Sequence, residues 1–264
     1  MVESPPNGTE VAGRLLALRC VVTHAMATSP RPELQERFAK WTEVERLEFV
    51  RESDSNSKRF WDGVNSSPIS RYLSPWERRF ATATELTMSN RQQLDGSWRL
   101  ESVQVLMWAL CLIHELPAPD TQANLQLSKS DVLNDPATFL NSARLRPQTE
   151  IYHARDAAEL WHWRSRTEQF IREGRPFPSN EATIRQGLRS YQDIVHRSAI
   201  AAQERGDVPL VIRNDFGVKG KSYGELSEEE WSEVQSISME RHYALNWLCG
   251  YSPNNDWDQT PTDT

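Results

Sequence analysis

Apolar residues recur every three or four positions along most of this chain, the spacing that lines up side chains on one face of an α-helix. Residues 1–9 are polar and rich in breakers and are expected to be disordered. Leu15, Leu18 and Val22 then form a first stripe. Ser29 is placed to cap a second helix and Pro30 to occupy its first turn. Leu34, Phe38 and Trp41, widened by Val44, Leu47 and Phe49, carry that helix over 33–52. Residues 53–73 are dense in Ser, Asn, Asp, Gly and Pro, yet hold Phe60, Trp61, Ile69 and Tyr72; they read as an ordered linker anchored by its aromatics.

Ser74-Pro75-Trp76-Glu77 has the cap, the first-turn proline and the acidic third position of a capping box, which predicts a helix to about Ser89. A further start at Asp95-Gly96-Ser97 opens the most apolar stretch, Trp98 to Leu116. Val105 to Ile113 leave no polar face, so this is the expected central core helix, with Trp108 fully buried and Pro117 and Pro119 as the stop. Ser128 to Leu133 is expected to form a short helical turn, and Asp135-Pro136 to start a helix through Ala143. Longer helices are predicted over 154–173 and from Ser179 to about Glu204, the second closed by Gly206. Val208 to Ile212 reads as a short strand or tether before a turn-rich loop to Gly224. Ser227 with Glu228-Glu229-Glu230 opens a last helix that Gly250 closes. The pattern predicts an all-α protein: a single irregular helical domain over 10–264, of about seven to nine helices, with at most one short β-hairpin near 208–218.

Charge narrows the function classes. The 264 residues carry 30 Lys and Arg against 37 Asp and Glu, a formal charge of -7, which disfavours a broad phosphate-binding face; no nucleic-acid partner is expected. The longest apolar run, Val105 to Ile113, is about half what a membrane-spanning helix needs, so no membrane association is expected. Cys20, Cys111 and Cys249 are widely spaced and form no CxxC pair, as expected of buried or partly buried free thiols in a reducing cytoplasm. Nothing in the sequence sets an oligomeric state.

Candidate chemistry gathers near the C-terminus. His242 lies beside Arg241 and Glu240, but on a helix Glu240 points about 160° away from it. A general base would need its carboxylate from Asp256, Asp258 or Asp263, and the same groups would equally lock the tail in place. Both readings stay open. Metal and cofactor sites are not expected: His114-Glu115 runs into Leu116-Pro117 instead of a zincin helix, and Asp256-x-Asp258 lacks the calcium-loop pattern. Gly217-Val218-Lys219-Gly220-Lys221-Ser222 lacks the first glycine of a phosphate loop and does not run directly into a helix, so it reads as an ordinary turn. No G-x-S-x-G elbow occurs.

Ten tryptophans are the least ordinary feature. Trp161 and Trp163 are about 200° apart on one helix, so one of them is expected to face another element or a partner. Together with Trp247, Trp257 and Arg241 they are the candidate binding residues. The expected function is non-catalytic binding of a protein or peptide through an aromatic-lined groove. The alternatives are a hydrolase using His242 with the C-terminal carboxylates, and small-molecule sensing.

Glu240 to Leu248 (ERHYALNWL), followed by Asp256-Trp257-Asp258 and Thr262-Asp263-Thr264, resemble the C-terminal signature of a bacterial family known as domain of unknown function 4272 (DUF4272). Trp98-Arg99-x-Glu101 leading into Leu106-Met107-Trp108-Ala109-Leu110 resembles its centre, and Glu150-Ile151 with Arg155 to Leu160 resembles the step before its Trp-rich helix. Cys111-Leu112-Ile113-His114 departs from it where a small residue or glycine is expected. The resemblance covers 95–264 well and 10–94 loosely. It implies a bacterial origin and supplies no mechanism.

Overall fold

In the computed structural model, which describes residues 4–29, 31–124, 135–185 and 187–263, the first helix starts earlier than its apolar stripe. Asn7 accepts from the Glu10 amide at 3.1 Å and Glu10 accepts from the Asn7 amide at 2.7 Å, so α1 (Gly8–Ala27) begins inside the polar stretch. The predicted 33–52 helix is two helices, α2 (Arg31–Lys40) and α3 (Glu43–Asn65). Thr42 and Glu45 make a second reciprocal cap that restarts the chain. Most of the predicted linker is the second half of α3. Trp61 and Val64 are buried there, and this burial outweighs the weak helix propensity of the Ser-Asp-Ser-Asn-Ser run. A 3-10 turn follows at Pro68–Tyr72.

The Ser74 capping box forms as expected, but α4 (Pro75–Phe80) stops well short of Ser89. Ser89 instead caps α5 (Asn90–Ala109), through a box with Gln92. Gly96, expected as a helix start, lies inside α5, because a Cβ there would meet Phe80 Cζ at 2.7 Å and Ala25 Cβ at 2.9 Å. The absent side chain is what lets α5 approach α1 and α4. α5 ends before the prolines: Cys111 takes φ 59° and the Leu112 amide donates to Met107 O at 2.9 Å, a left-handed cap on a residue other than glycine. Cys111 is therefore exposed, contrary to the buried or partly buried thiol expected, while Cys20 and Cys249 are buried; all three are free. Trp108 is buried at 8 % exposure, but the Arg146 guanidinium covers its ring at 5.0 Å. α6 (Pro136–Ser142) starts on Asp135 as expected. The short helix expected over 128–133 lies outside the described residues.

α7 (Gln148–Arg172) is followed by α8 (Glu181–Arg185) and α9 (Tyr191–Arg205), which split the helix expected from Ser179 to Glu204. Gly187 at φ 68° breaks that run and Ser190 caps the restart. Two two-residue turns, Arg213-Asn214 and Lys219-Gly220, have positive φ throughout, which suits the twist of tight hairpins. They join β1 (Val211–Ile212), β2 (Asp215–Val218) and β3 (Lys221–Ser222) into a three-stranded antiparallel sheet, one strand more than the hairpin expected. The glycine-lysine motif is thus a hairpin turn. Its Lys219 and Lys221 reach Glu233 and Glu230 at 2.7 Å on α10 (Glu228–Leu248).

The described chain is all-α apart from this sheet, and its residues group into two compact units. The first comprises Met1–Leu116, Ala123–Gln148 and Asn246–Pro261. Its core is α1 against α5, with Leu15, Leu16, Leu18, Val105 and Leu106 fully buried. α1 and the segment following it to Lys40 hold one window apolar enough to cross a membrane by length and composition, and 78 % of that window is buried inside the protein. The second unit comprises Pro117–Gln122, Thr149–Leu245 and Thr262–Thr264. Trp161, Phe216, Tyr223, Trp231 and Val234 form its core. There the buried Arg164 binds both Asp215 carboxylate oxygens at 2.7 Å and Glu168 at 3.0 Å, and lies over the Tyr223 ring, tying β2 to α7.

Candidate binding cleft between α7 and α9

The two tryptophans of α7 part as their spacing requires. Trp161 is 3 % exposed and packs edge-on against Phe216, with its Nε1 donating to Asp207 O at 3.3 Å. Trp163, two residues on, is half-buried and lines a cleft of about 700 Å³ with His153, Asp156, Glu159, Leu160, Arg205 and Asp207. His153, Asp156, Leu160 and Trp163 follow one stripe of the helix.

The end of α9 supplies the opposite wall. Gly206 adopts φ 83° and the Asp207 amide donates back to Ala202 O at 2.9 Å, a left-handed helix cap that brings Asp207 to the cleft. The Asp207 carboxylate is held by Arg205 Nε at 2.7 Å and lies 3.9 Å from His153 Nδ1. Arg155 reaches Asp156 at 3.2 Å and Glu159 at 2.6 Å, but the Asp156 side chain stays 67 % exposed. A second cleft of about 470 Å³, lined by Leu160, Leu188, Ile194, Arg197, Ser198, Ala201 and Arg205, shares Leu160 and Arg205 with the first. An acidic, aromatic pocket and an apolar trough thus adjoin on one unit.

The other sequence candidates have different surroundings. His242 is fully buried and pairs with His162, Nδ1 to Nδ1 at 3.0 Å. One ring donates and the other accepts; burial, helped by Arg166, pushes His162 down to about 4. Neither His162 nor His242 lines the clefts described above. Arg241 donates to the carbonyls of Pro117, Ala118 and Thr121 at 2.8, 3.0 and 2.6 Å. Trp247 and Trp257 are both 4 % exposed and stack edge-to-face at 5.3 Å, with Arg14 over Trp257 and Trp247 Nε1 donating to Asn255 O. Asp258 accepts from the Trp76 amide at 2.9 Å in the first turn of α4. Asp256 accepts from Asp258 N and Gln259 Nε2, and Asp263 is exposed. Among the described residues, no group of three or more His, Cys, Asp or Glu side chains gathers as for a metal ion.

Residues 3–186 match the family described as domain of unknown function DUF4272. The chain belongs to that family. The DUF4272 match takes in α1 to α8, including the N-terminal part where the resemblance is loose, and ends before the ERHYALNWL helix and the tail. Of the cleft, the wall from α7 lies within the DUF4272 match and the wall from α9 beyond it. No curated protein and no solved structure matches the chain.

Sequence reasoning singled out Trp163 but missed His153, Asp156, Glu159 and Asp207. The α7 residues share its helix stripe, and that periodicity was a usable signal. Asp207 is 44 positions from Trp163, and only its place after Gly206 hints that it is held by a helix cap.

Proposed function

We propose that this is a non-catalytic binding protein that takes a peptide or protein segment in the α7–α9 cleft. The segment it fits carries a lysine or arginine next to leucine-like side chains. The carrying observation is the junction at Leu160 and Arg205 of a pocket with three carboxylates and Trp163 and a trough walled by Leu188, Ile194 and Ala201. A cation entering the first pocket meets Asp156, Glu159 and the face of Trp163, while its apolar neighbour leaves water for the trough. Against the hydrolase alternative stands the environment of His242: a fully buried ring paired with another histidine has no surface to offer a substrate. A bacterial, cytoplasmic setting with three reduced thiols belongs to the same proposal.

Panning a random peptide library against the full chain, with the Asp156→Lys/Glu159→Lys variant as counter-selection, tests this. Enriched peptides should pair a basic residue with leucine, isoleucine or phenylalanine, lose about tenfold or more in affinity on the variant, and weaken as salt rises. Enrichment of peptides without a basic residue, or equal binding to the variant, contradicts the proposal.

A further inference from the structure

The first unit holds a separate cavity of about 580 Å³ between α1 and α3, floored by His24 and Glu85. Both side chains belong to residues that are only 4 % exposed, and their chemistry is incomplete. The Glu85 carboxylate accepts from the Ser29 amide at 2.8 Å and from Ser53 Oγ at 3.2 Å, two neutral donors. Among the residues whose side chains are described, no lysine or arginine pairs with it within 4 Å. A buried carboxylate without a countercharge is costly, and a cation is what would relieve it. His24 Nε2 donates to Ala83 O at 2.9 Å, which leaves Nδ1 as the acceptor of a neutral ring. Burial keeps that ring neutral by pushing its pKa down.

The rest of the wall is apolar and neutral polar, with two charged residues, Arg37 and the exposed Glu52. Phe49, Phe60 and Ala27 are apolar, while Ser57, Asn56 and Thr23 offer hydroxyl and amide groups. Arg37, the cation at this cavity, lies over the rings of Trp41 at 4.8 Å and Phe49 at 5.0 Å, and reaches Ser29 Oγ at 3.4 Å. The volume is that of a small organic molecule, too large for a bare ion.

We infer that this cavity binds a small organic ammonium compound, its charged nitrogen on Glu85 and His24 and its apolar body against Phe49 and Phe60. The site is independent of the α7–α9 cleft and gives the small-molecule sensing alternative a specific place in the fold.

The probe is phenethylamine, with phenylacetate and 2-phenylethanol as its anionic and neutral counterparts, titrated into the full chain by calorimetry and saturation-transfer NMR. Phenethylamine should bind saturably in the millimolar range or tighter, and the other two at least about tenfold more weakly. Glu85→Gln, which keeps the shape and removes the charge, should cost about tenfold or more. Ser57→Trp should abolish binding by filling the cavity, and it serves as the test if Glu85→Gln fails to fold. The inference is overturned by no saturable phenethylamine binding, by equal binding of phenylacetate, or by unchanged binding by a folded Glu85→Gln or Ser57→Trp protein. Binding that disappears instead with Asp156→Lys/Glu159→Lys moves the amine to the α7–α9 cleft and also overturns it.

Discussion

Trp257 and Trp163 both sit among aspartates, yet their neighbours behave in opposite ways. In the tail, Asp258 is committed to the Trp76 amide, Asp256 to its own 3-10 turn, and Trp257 is sealed by Trp247 and Arg14. In the cleft, Asp156 stays two-thirds exposed, Glu159 is partly open, and one face of Trp163 borders empty volume. The same residue types therefore make an anchor in one place and a receptive surface in the other. What separates them is that Trp257 is sealed, whereas Trp163 and the carboxylates beside it, though paired with Arg155 and Arg205, border open volume.

The largest way to break this comparison is to remove the anchors. Trp257→Ala should lower stability by about 3–5 kcal/mol, the cost of a buried aromatic, and truncation after Asn255 should do at least as much. Trp163→Ala should cost only about 1 kcal/mol, because the ring is half-buried. Thermal and denaturant melts read both, and equal effects would erase the distinction.

A second effect probes the buried histidine pair. The His162 pKa lies near 4 against 6.5 in an unfolded chain, so between these values the unfolded state binds more protons. The stability contributed by neutral His162 is complete above about pH 6.5 and is lost as pH falls towards 4, by about 2–3 kcal/mol. Denaturant midpoints from pH 7 to 5 should fall in the native protein and flatten in His162→Gln. A parallel decline in both would assign the pH dependence elsewhere.

The smallest effect sets two aspartates against each other. Asp258→Ala should cost about 1 kcal/mol by removing a carboxylate from the α4 amide, whereas Asp156→Ala should stay within about 0.5 kcal/mol. A melt showing the reverse order would contradict the roles given to both.

Much of this architecture was legible in local chemistry. The boxes at Ser74 and Ser227, the Asp135-Pro136 start and the Gly206 and Gly250 terminators all act where the residues announce them. Thr42 with Glu45 and Ser89 with Gln92 carry the same signature, but an apolar stripe runs across the first, and the second is followed by a competing start at Asp95-Gly96-Ser97. Other features had no local signal. α3 continues through a polar run because Trp61 and Val64 are buried, Gly96 is needed for close helix approach, and Cys111 ends α5 in a conformation that glycine usually takes. The two units have no single linker between them: two of their divisions fall at the first residues of α7 and within the last turn of α10, and the others in the irregular stretches at 116–123 and 261–262. For the site, the angular divergence of Trp161 and Trp163 was readable from helix geometry. The meeting of His153 with Asp207, and of His162 with His242, depends on folding over 54 and 80 positions.

The most direct test of the central claim follows the indole N–H signals by NMR while a peptide of one lysine flanked by leucines is added to the full chain. The signal of Trp163, assigned through Trp163→Phe, should shift saturably while those of Trp161, Trp247 and Trp257 stay still. An unmoved Trp163 signal, or a shift shared equally with Trp257, would contradict the account.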